Sequence, residues 1–541
     1  MLFDAIIALI GGLGAFLIGF KILSENIEKL TNTGLRKLFD KTNKNKIVGV
    51  GIGALVTAVI QSSSATTVMV VGFVNAGILS LYQATTMIMG ANIGTTITAQ
   101  IASLESIDIT AYAVALAGIG IFMDMLCKKE KIKTIGLALA GLGLVFVGLK
   151  SMSSAMSGFR ESDAVYSALQ VITNPFLLLL IGAGFTALVQ SSSAVTAIVI
   201  TMVAQGLVIG NGGNCVLYVI LGTNIGTCVT ALISSVGANT NARRASLIHL
   251  MFNLFGSIIF MIVLLIWKDF MSNTLEVWFK LPATQIAMFH TFFNVICTLI
   301  FLPFVNVFVK LSEFIIKDKK NDYTSNTFMD ERILKTPSIA LNQMMKETAR
   351  LGEIAFEAFT LAIDGFVEKS LKNEQTIYQR LDELDILNKS IIGYLVKLSS
   401  LVDTEKEEKI ISNLHHSLGD FLRQAEIADN IIKYTKIEIK EGLDFSDKVY
   451  AAINIMKEKL TVLFDKTKNI FLTFDYSELN TIDAIEDEID NMRTNLINDH
   501  IKRLEEGKCK PQNSNVYINL ISNLERAGDH LTYIAHSIAE K

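Results

Sequence analysis

Apolar residues fill the first part of this chain in runs too long for a soluble core, and polar side chains interrupt them at recurring places. The runs at 5–23, 82–104, 109–127, 134–150, 213–236, 245–267 and 284–309 are each about the length a helix needs to cross a bilayer, roughly 20 residues. Two more, 47–79 and 174–209, are longer and carry polar tetrads, Gln61, Ser62, Ser63, Ser64 and Gln190, Ser191, Ser192, Ser193. Each reads as two half-length helices joined by a turn, a re-entrant hairpin, because non-helical backbone at membrane depth must be enclosed by protein or line a wet cavity. From Ser338 onward the pattern changes to apolar residues at helical spacing among dense charge, which predicts soluble helices. The expected fold class is all-α: a polytopic membrane region over 1–310, a linker over 311–337 and helical bundles over 338–541.

The membrane region is duplicated. An offset of 129 superimposes the two tetrads and also lays GLGAFLIGFK, Gly12 to Lys21, on GLGLVFVGLK, Gly141 to Lys150. With three residues inserted, GANIGTTIT from Gly90 to Thr98 matches GTNIGTCVT from Gly222 to Thr230, pairing Asn92 with Asn224, Gly94 with Gly226 and Thr98 with Thr230. The repeats cover about 5–127 and 134–267, and 284–309 is an extra span.

Charge orients them. Basic clusters at Arg36, Lys37, Lys41, Lys44, Lys46, at Lys128, Lys129, Lys131, Lys133, at Arg243, Arg244 and at Lys317, Lys319, Lys320 belong on the cytoplasmic side. The first span then runs inward and its duplicate outward, so the repeats are inverted and one hairpin enters from each side. Inverted repeats with interrupted helices are the architecture of secondary transporters, with the solute held where the repeats meet. Serine and threonine also glue membrane helices together, but paired tetrads at hairpin turns favour a site.

With 51% hydrophobic residues and a mean hydropathy of +0.44, the 541-residue chain is too apolar for an ordinary soluble enzyme. A net charge of −4 gives no basis for nucleic-acid binding. Cys127, Cys215, Cys228, Cys297 and Cys509 show no CxxC spacing, so neither a disulfide scaffold nor a zinc knuckle is indicated. The amino terminus lacks a basic leader region and is expected to be a retained span. No Walker A, G-x-S-x-G or H-E-x-x-H motif is present, which argues against an enzyme and against ATP-driven transport. The residues by themselves lead to an ion-coupled transporter of a small polar solute.

Two QSSS motifs in inverted repeats, followed by GANIGTT and GTNIGTC, resemble the type II sodium-phosphate cotransporters over residues 5–310. The region after Ser338 resembles a PhoU domain, which bacterial members of that family carry at this end. The resemblance implies sodium-driven uptake of inorganic phosphate across the plasma (inner) membrane, with a cytoplasmic, regulatory carboxyl-terminal domain that acts on transport or recruits a protein partner. Oligomeric state stays open.

On that expectation, phosphate lies against Gln61, Ser62, Ser63, Ser64 and Gln190, Ser191, Ser192, Ser193. The helices after both tetrads begin with unpaired N–H groups and partial positive charge, which suits an anion. No Arg or Lys falls deep in an expected span, so bound cations supply the missing charge, and hydroxyl and carbonyl oxygens suit sodium. Sodium is assigned to Asn92, Thr95, Thr96, Asn224, Thr227, Thr67 and Thr196, with the segments 90–98 and 222–230 locally unwound. For Gly94 and Gly226, close packing is an equal explanation. A further pair, His249, Phe252, Asn253 and His290, Phe293, Asn294, is read as interhelical hydrogen bonding and kept outside the site.

The soluble region is also duplicated, DELD at 382–385 resembling DEID at 487–490, which predicts two three-helix bundles. PhoU domains bind multinuclear metal through E-x-x-x-D pairs. Glu486, Asp490, Glu525 and Asp529 keep that pattern, whereas Leu381 precedes Asp385 and Ala425 precedes Asp429. A divalent or iron-type metal in the second bundle is one reading, a solvated acidic face the other. The competing functions are a sodium-coupled carrier of another small anion and a membrane phosphate sensor that does not transport.

Overall fold

The computed structural model describes residues 2–39, 45–106, 110–317, 328–402, 404–507 and 510–539. Lys41, Lys44, Lys319, Lys320 and Cys509 lie outside the described residues. The chain forms two compact units, 1–326 and 327–541.

The first unit opens on α1 (Leu2–Phe39), then a hairpin of α2 (Lys46–Ile60) and α3 (Ser63–Asn75), α4 (Leu81–Ser103) and α5 (Thr110–Leu126). Its second half has α6 (Glu130–Arg160), α7 (Asp163–Val171), a hairpin of α8 (Pro175–Val189) and α9 (Ser192–Ala204), α10 (Cys215–Gly226), α11 (Cys228–Ser234) and α12 (Thr240–Ile266). A short α13 (Glu276–Trp278), α14 (Pro282–Phe301) and α15 (Val305–Ile315) follow. Local chemistry sets the helix starts. Asn45 caps α2 and Asn174 caps α8, which continues with Pro175 at its first position. Ser80 and Gln83 form a reciprocal capping box on α4, satisfying donors the helix cannot.

Glycines set the helix packing. A Cβ added at Gly12 would lie 2.9 Å from the Gly148 carbonyl oxygen, and one at Gly19 would lie 2.8 Å from that of Gly141. The duplicated glycine motif therefore packs against its own duplicate, α1 on α6. In the hairpins, a Cβ at Gly90 would meet the Val50 oxygen at 2.0 Å and one at Gly222 the Leu179 oxygen at 2.1 Å. The same approach recurs at Gly94 on Ala54 and Gly226 on Ala183, both at 2.4 Å. These contacts seat α2 on α4 and α8 on α10 without a side chain between the backbones.

Among the described residues, five helical stretches are long and apolar enough to cross a membrane: 2–27, 130–160, 215–234, 240–266 and 282–315. The bent pair α7 and α8, at 117°, is the second hairpin's entry, and α7 was not expected. α4 falls below that apolar measure because threonine, glutamine and asparagine line it, yet its 23 residues extend about 34 Å. α6 runs beyond the expected 134–150 because its serines bond to neighbouring chain, as Ser151 Oγ does to the Ala8 carbonyl at 3.0 Å. The expected unwinding at 90–98 is not found: α4 is continuous there, and Gly90 and Gly94 serve close packing. In the second half α10 stops at Gly226 and α11 starts at Cys228.

The second unit consists of α16 (Pro337–Val367), α17 (Glu374–Ser399), α18 (Glu405–Glu441), α19 (Asp447–Thr473), α20 (Leu479–Glu505) and α21 (Gln512–Ala539). Its halves, α16 to α18 and α19 to α21, pack through α16 and α18 against α19 and α21. Phe356 stacks on Phe464 with centroids 4.3 Å apart. Gln424 Nε2 donates to the Ala527 carbonyl at 3.0 Å, pairing a buried amide N–H across the seam.

Candidate functional site

Both tetrads form the same turn. Gln61 ends α2 with φ 55° and ψ 25°, and Gln190 ends α8 with φ 57° and ψ 24°. Left-handed backbone is costly for a residue with a side chain, and its repetition ties the turn to the tetrad. Ser62 and Ser191 follow in extended conformation, each with Oγ accepting from the N–H three residues on, Ala65 and Ala194, at 3.2 Å. The second and third serines then open α3 and α9, so the N–H groups of Ser63, Ser64, Ser192 and Ser193 have no acceptor within their helix.

The two tips meet. Thr98 Oγ1 on α4 donates to Gln61 Oε1 at 2.9 Å, and Ser193 Oγ donates to Thr98 Oγ1 at 3.5 Å. Ser64 Oγ and Thr227 Oγ1, from opposite repeats, are 3.1 Å apart. The Gln61 amide nitrogen donates to the Ala58 carbonyl. Ser63 and Ser192 are each 5% exposed. Rotatable hydroxyls and helix N-termini gathered this way can donate to an oxyanion, and all the contacts that join the tips are between neutral groups.

The residues assigned to sodium are distributed unequally. Thr227 touches the first tip. Thr67, Thr95 and Thr196 are buried, and their hydroxyls have no hydrogen-bond partner. Asn92, Asn224 and Thr96 bond first to their own helices: Asn92 Nδ2 to Ile88 at 2.9 Å, Asn224 Nδ2 to Ile220 at 3.0 Å, and Thr96 Oγ1 to Ile93 at 2.7 Å.

Sequence reasoning paired Thr98 with Thr230 in the duplicated segment but did not assign it to the site. His290, read as an interhelical hydrogen-bonding residue, makes such a bond, its Nε2 donating to Asn224 Oδ1 at 3.2 Å; left out were the buried, unpartnered hydroxyls of Thr57 and Thr186. That last pair carried a signal: the offset of 129 relates them.

In the second unit Glu486, Asp490, Glu525 and Asp529 interact across α20 and α21. Burial, and after it the charge of Asp529, holds the Glu486 and Glu525 carboxyls above their ordinary range. Arg493 stands 3.6 Å from Asp490 and 3.8 Å from Glu525, supplying the positive charge a cation would bring. Among the described residues no group of three or more histidine, cysteine, aspartate or glutamate side chains is placed to hold a metal ion.

The family model described as Na+/Pi-cotransporter matches residues 15–154 and 159–289, and the PhoU domain model matches 453–538, which is α19 to α21. The chain is 25% identical to the Escherichia coli K12 protein named "Putative inorganic phosphate export protein YjbB", over 97% of this chain and 95% of that one. It is 29% identical to Bacillus subtilis "Uncharacterized protein YqeW", over 56% of this chain and 96% of that one. It is 30% identical to human sodium-dependent phosphate transport protein 2B, over 32% of this chain and 26% of that one. No solved structure matches the chain. The matched residues contain both tetrads and both hairpins: this chain is a membrane transporter, not an enzyme, and belongs to the Na+/Pi-cotransporter family.

Proposed function

We propose that the chain is a secondary symporter that couples phosphate to sodium by alternating access, with phosphate held between the tips at Gln61 to Ser64 and Gln190 to Ser193. The observation that carries this reading is the contact between the tips, Gln61 to Thr98 to Ser193 and Ser64 to Thr227. The anion is met by neutral donors and helix N-termini, which leaves its charge under-compensated in a low dielectric. Sodium supplies the balance at oxygens of Thr67, Thr95, Thr96, Thr196, Thr227, Asn92 and Asn224. Coupling follows when the tips close favourably only with both solutes bound or with neither.

In this reading the transporter domain, in the plasma membrane, spans 1–310, the linker 311–337 and the PhoU-like domain, regulatory and cytoplasmic, 338–541. The first bundle, α16 to α18, is a second copy of the module the PhoU model matches. Net flux is proposed to be inward, following the sodium gradient. The name of the E. coli relative, which aligns over 97% of this chain, favours export as the second reading.

Radiolabelled phosphate uptake by proteoliposomes under an inward sodium gradient tests both, with potassium substitution and Ser192→Ala as controls. Accumulation that requires sodium and is lost in the variant is the expected result. Efflux from preloaded vesicles that needs no sodium gradient supports export. Binding without accumulation identifies a sensor, and transport of another anion instead overturns the choice of phosphate.

A further inference from the structure

Thr98 and Thr230 occupy equivalent places in the two repeats, under the alignment that pairs Asn92 with Asn224. Symmetry predicts the same hydrogen bond in each half, from the threonine hydroxyl to the glutamine of the adjoining tip. Only one is made. Thr98 Oγ1 donates to Gln61 Oε1 at 2.9 Å, whereas the Thr230 hydroxyl is buried with no partner and Gln190 is exposed.

The backbone scarcely differs at the same place. α4 is continuous from Leu81 to Ser103, through Thr98, and its counterpart departs from the regular helix only at Thr227, which keeps φ −63° and ψ −21°. The turns themselves do not differ, since Gln61 and Gln190 agree within 2° in φ. The asymmetry is therefore in how each tip is held, not in how it is built. A buried hydroxyl without a partner is unfavourable, so an arrangement in which Thr230 reaches Gln190 is favoured by the same chemistry that joins Thr98 to Gln61.

We propose that Thr98 and Thr230 are positioning residues that hold the two tip glutamines in turn, the made Thr98 to Gln61 bond and the unmade Thr230 to Gln190 bond marking opposite stages of one transport cycle. The proposal rests on the reading of the tips as the transport site. It makes Thr230 matter most in the stage this structure does not show.

Two measurements test it. Thr98→Val and Thr230→Val keep side-chain shape and remove the hydroxyl, and Thr98→Ser and Thr230→Ser restore it. Each valine variant is expected to lower phosphate turnover about five-fold, the scale of one hydrogen bond, with the matching serine variant returning most of it. Wild-type turnover in Thr230→Val, or no rescue by serine, overturns the proposal. Independently of substrate, Gln190→Cys combined with Thr230→Cys, in a chain whose five native cysteines are replaced, should cross-link on mild oxidation. Failure to cross-link while the chain elutes as a folded, monodisperse species overturns it as well. A wild-type protein that carries no phosphate overturns the proposed function instead, and the cross-link then decides the latch.

Discussion

Gln61 and Gln190 are two of the four non-glycine residues with positive φ among those described, and their strain is of the kind that collects where a site demands it. If both amides face phosphate, Gln61→Ala and Gln190→Ala should each weaken its binding about ten-fold, as expected for a hydrogen bond to a charged group. Titration calorimetry at saturating sodium checks this, and unchanged affinity in both variants would remove the tetrads from the site. At this scale the turns at the tetrads were legible because four adjacent polar side chains interrupt an apolar run. Thr98 was not legible. Its role depends on which residue of α4 comes level with a tip supplied by another helix, and that phase is a property of packing. For Asn92, read from composition as an ion ligand, packing adds that its amide nitrogen donates to the Ile88 carbonyl of its own helix.

At the scale of elements, the hairpins followed directly from run length and the polar centre, and the glycines decided how they dock. Gly90→Ala places a methyl group 2.0 Å from the Val50 oxygen, and backbone cannot yield as a side chain would. We expect it to cost about 1–3 kcal/mol, read as a fall in melting temperature and loss of monodispersity in detergent. Gly51→Ala, with open space around it, should melt like wild type. The turn into α7 was not legible, because the same small and polar residues sit equally well in a continuous helix, whereas the break between Gly226 and Cys228 falls inside the segment expected to unwind. In the second unit, α20 and α21 carry a pH response. A carboxyl whose folded pKa is raised holds its proton more tightly when folded, so its contribution is fully present below the ordinary value of 4.5 and is lost as pH rises through the raised value. Glu486 and Glu525 are both of this kind. Calorimetry should show the second unit melting at higher temperature as pH falls from neutral toward about 5, with a smaller gain in Glu486→Gln; no dependence in wild type would contradict the assignment.

For the whole molecule, the change from long apolar runs to charged amphipathic helices was legible as a change of solvent, and the chain forms compact units at 1–326 and 327–541. The inversion of the repeats rested on the distribution of lysine and arginine, a signal of orientation and not of contact. What charge could not reveal is that the repeats meet along α1 and α6, Gly12 against Gly148 and Gly19 against Gly141. Each glycine there faces the duplicate of the other, which is the signature of an isologous interface. A chain half as long, carrying one repeat and inserting in either direction, would pair two oppositely inserted copies along that same face. The contact inside this protein is an antiparallel homodimer closed into a single polypeptide.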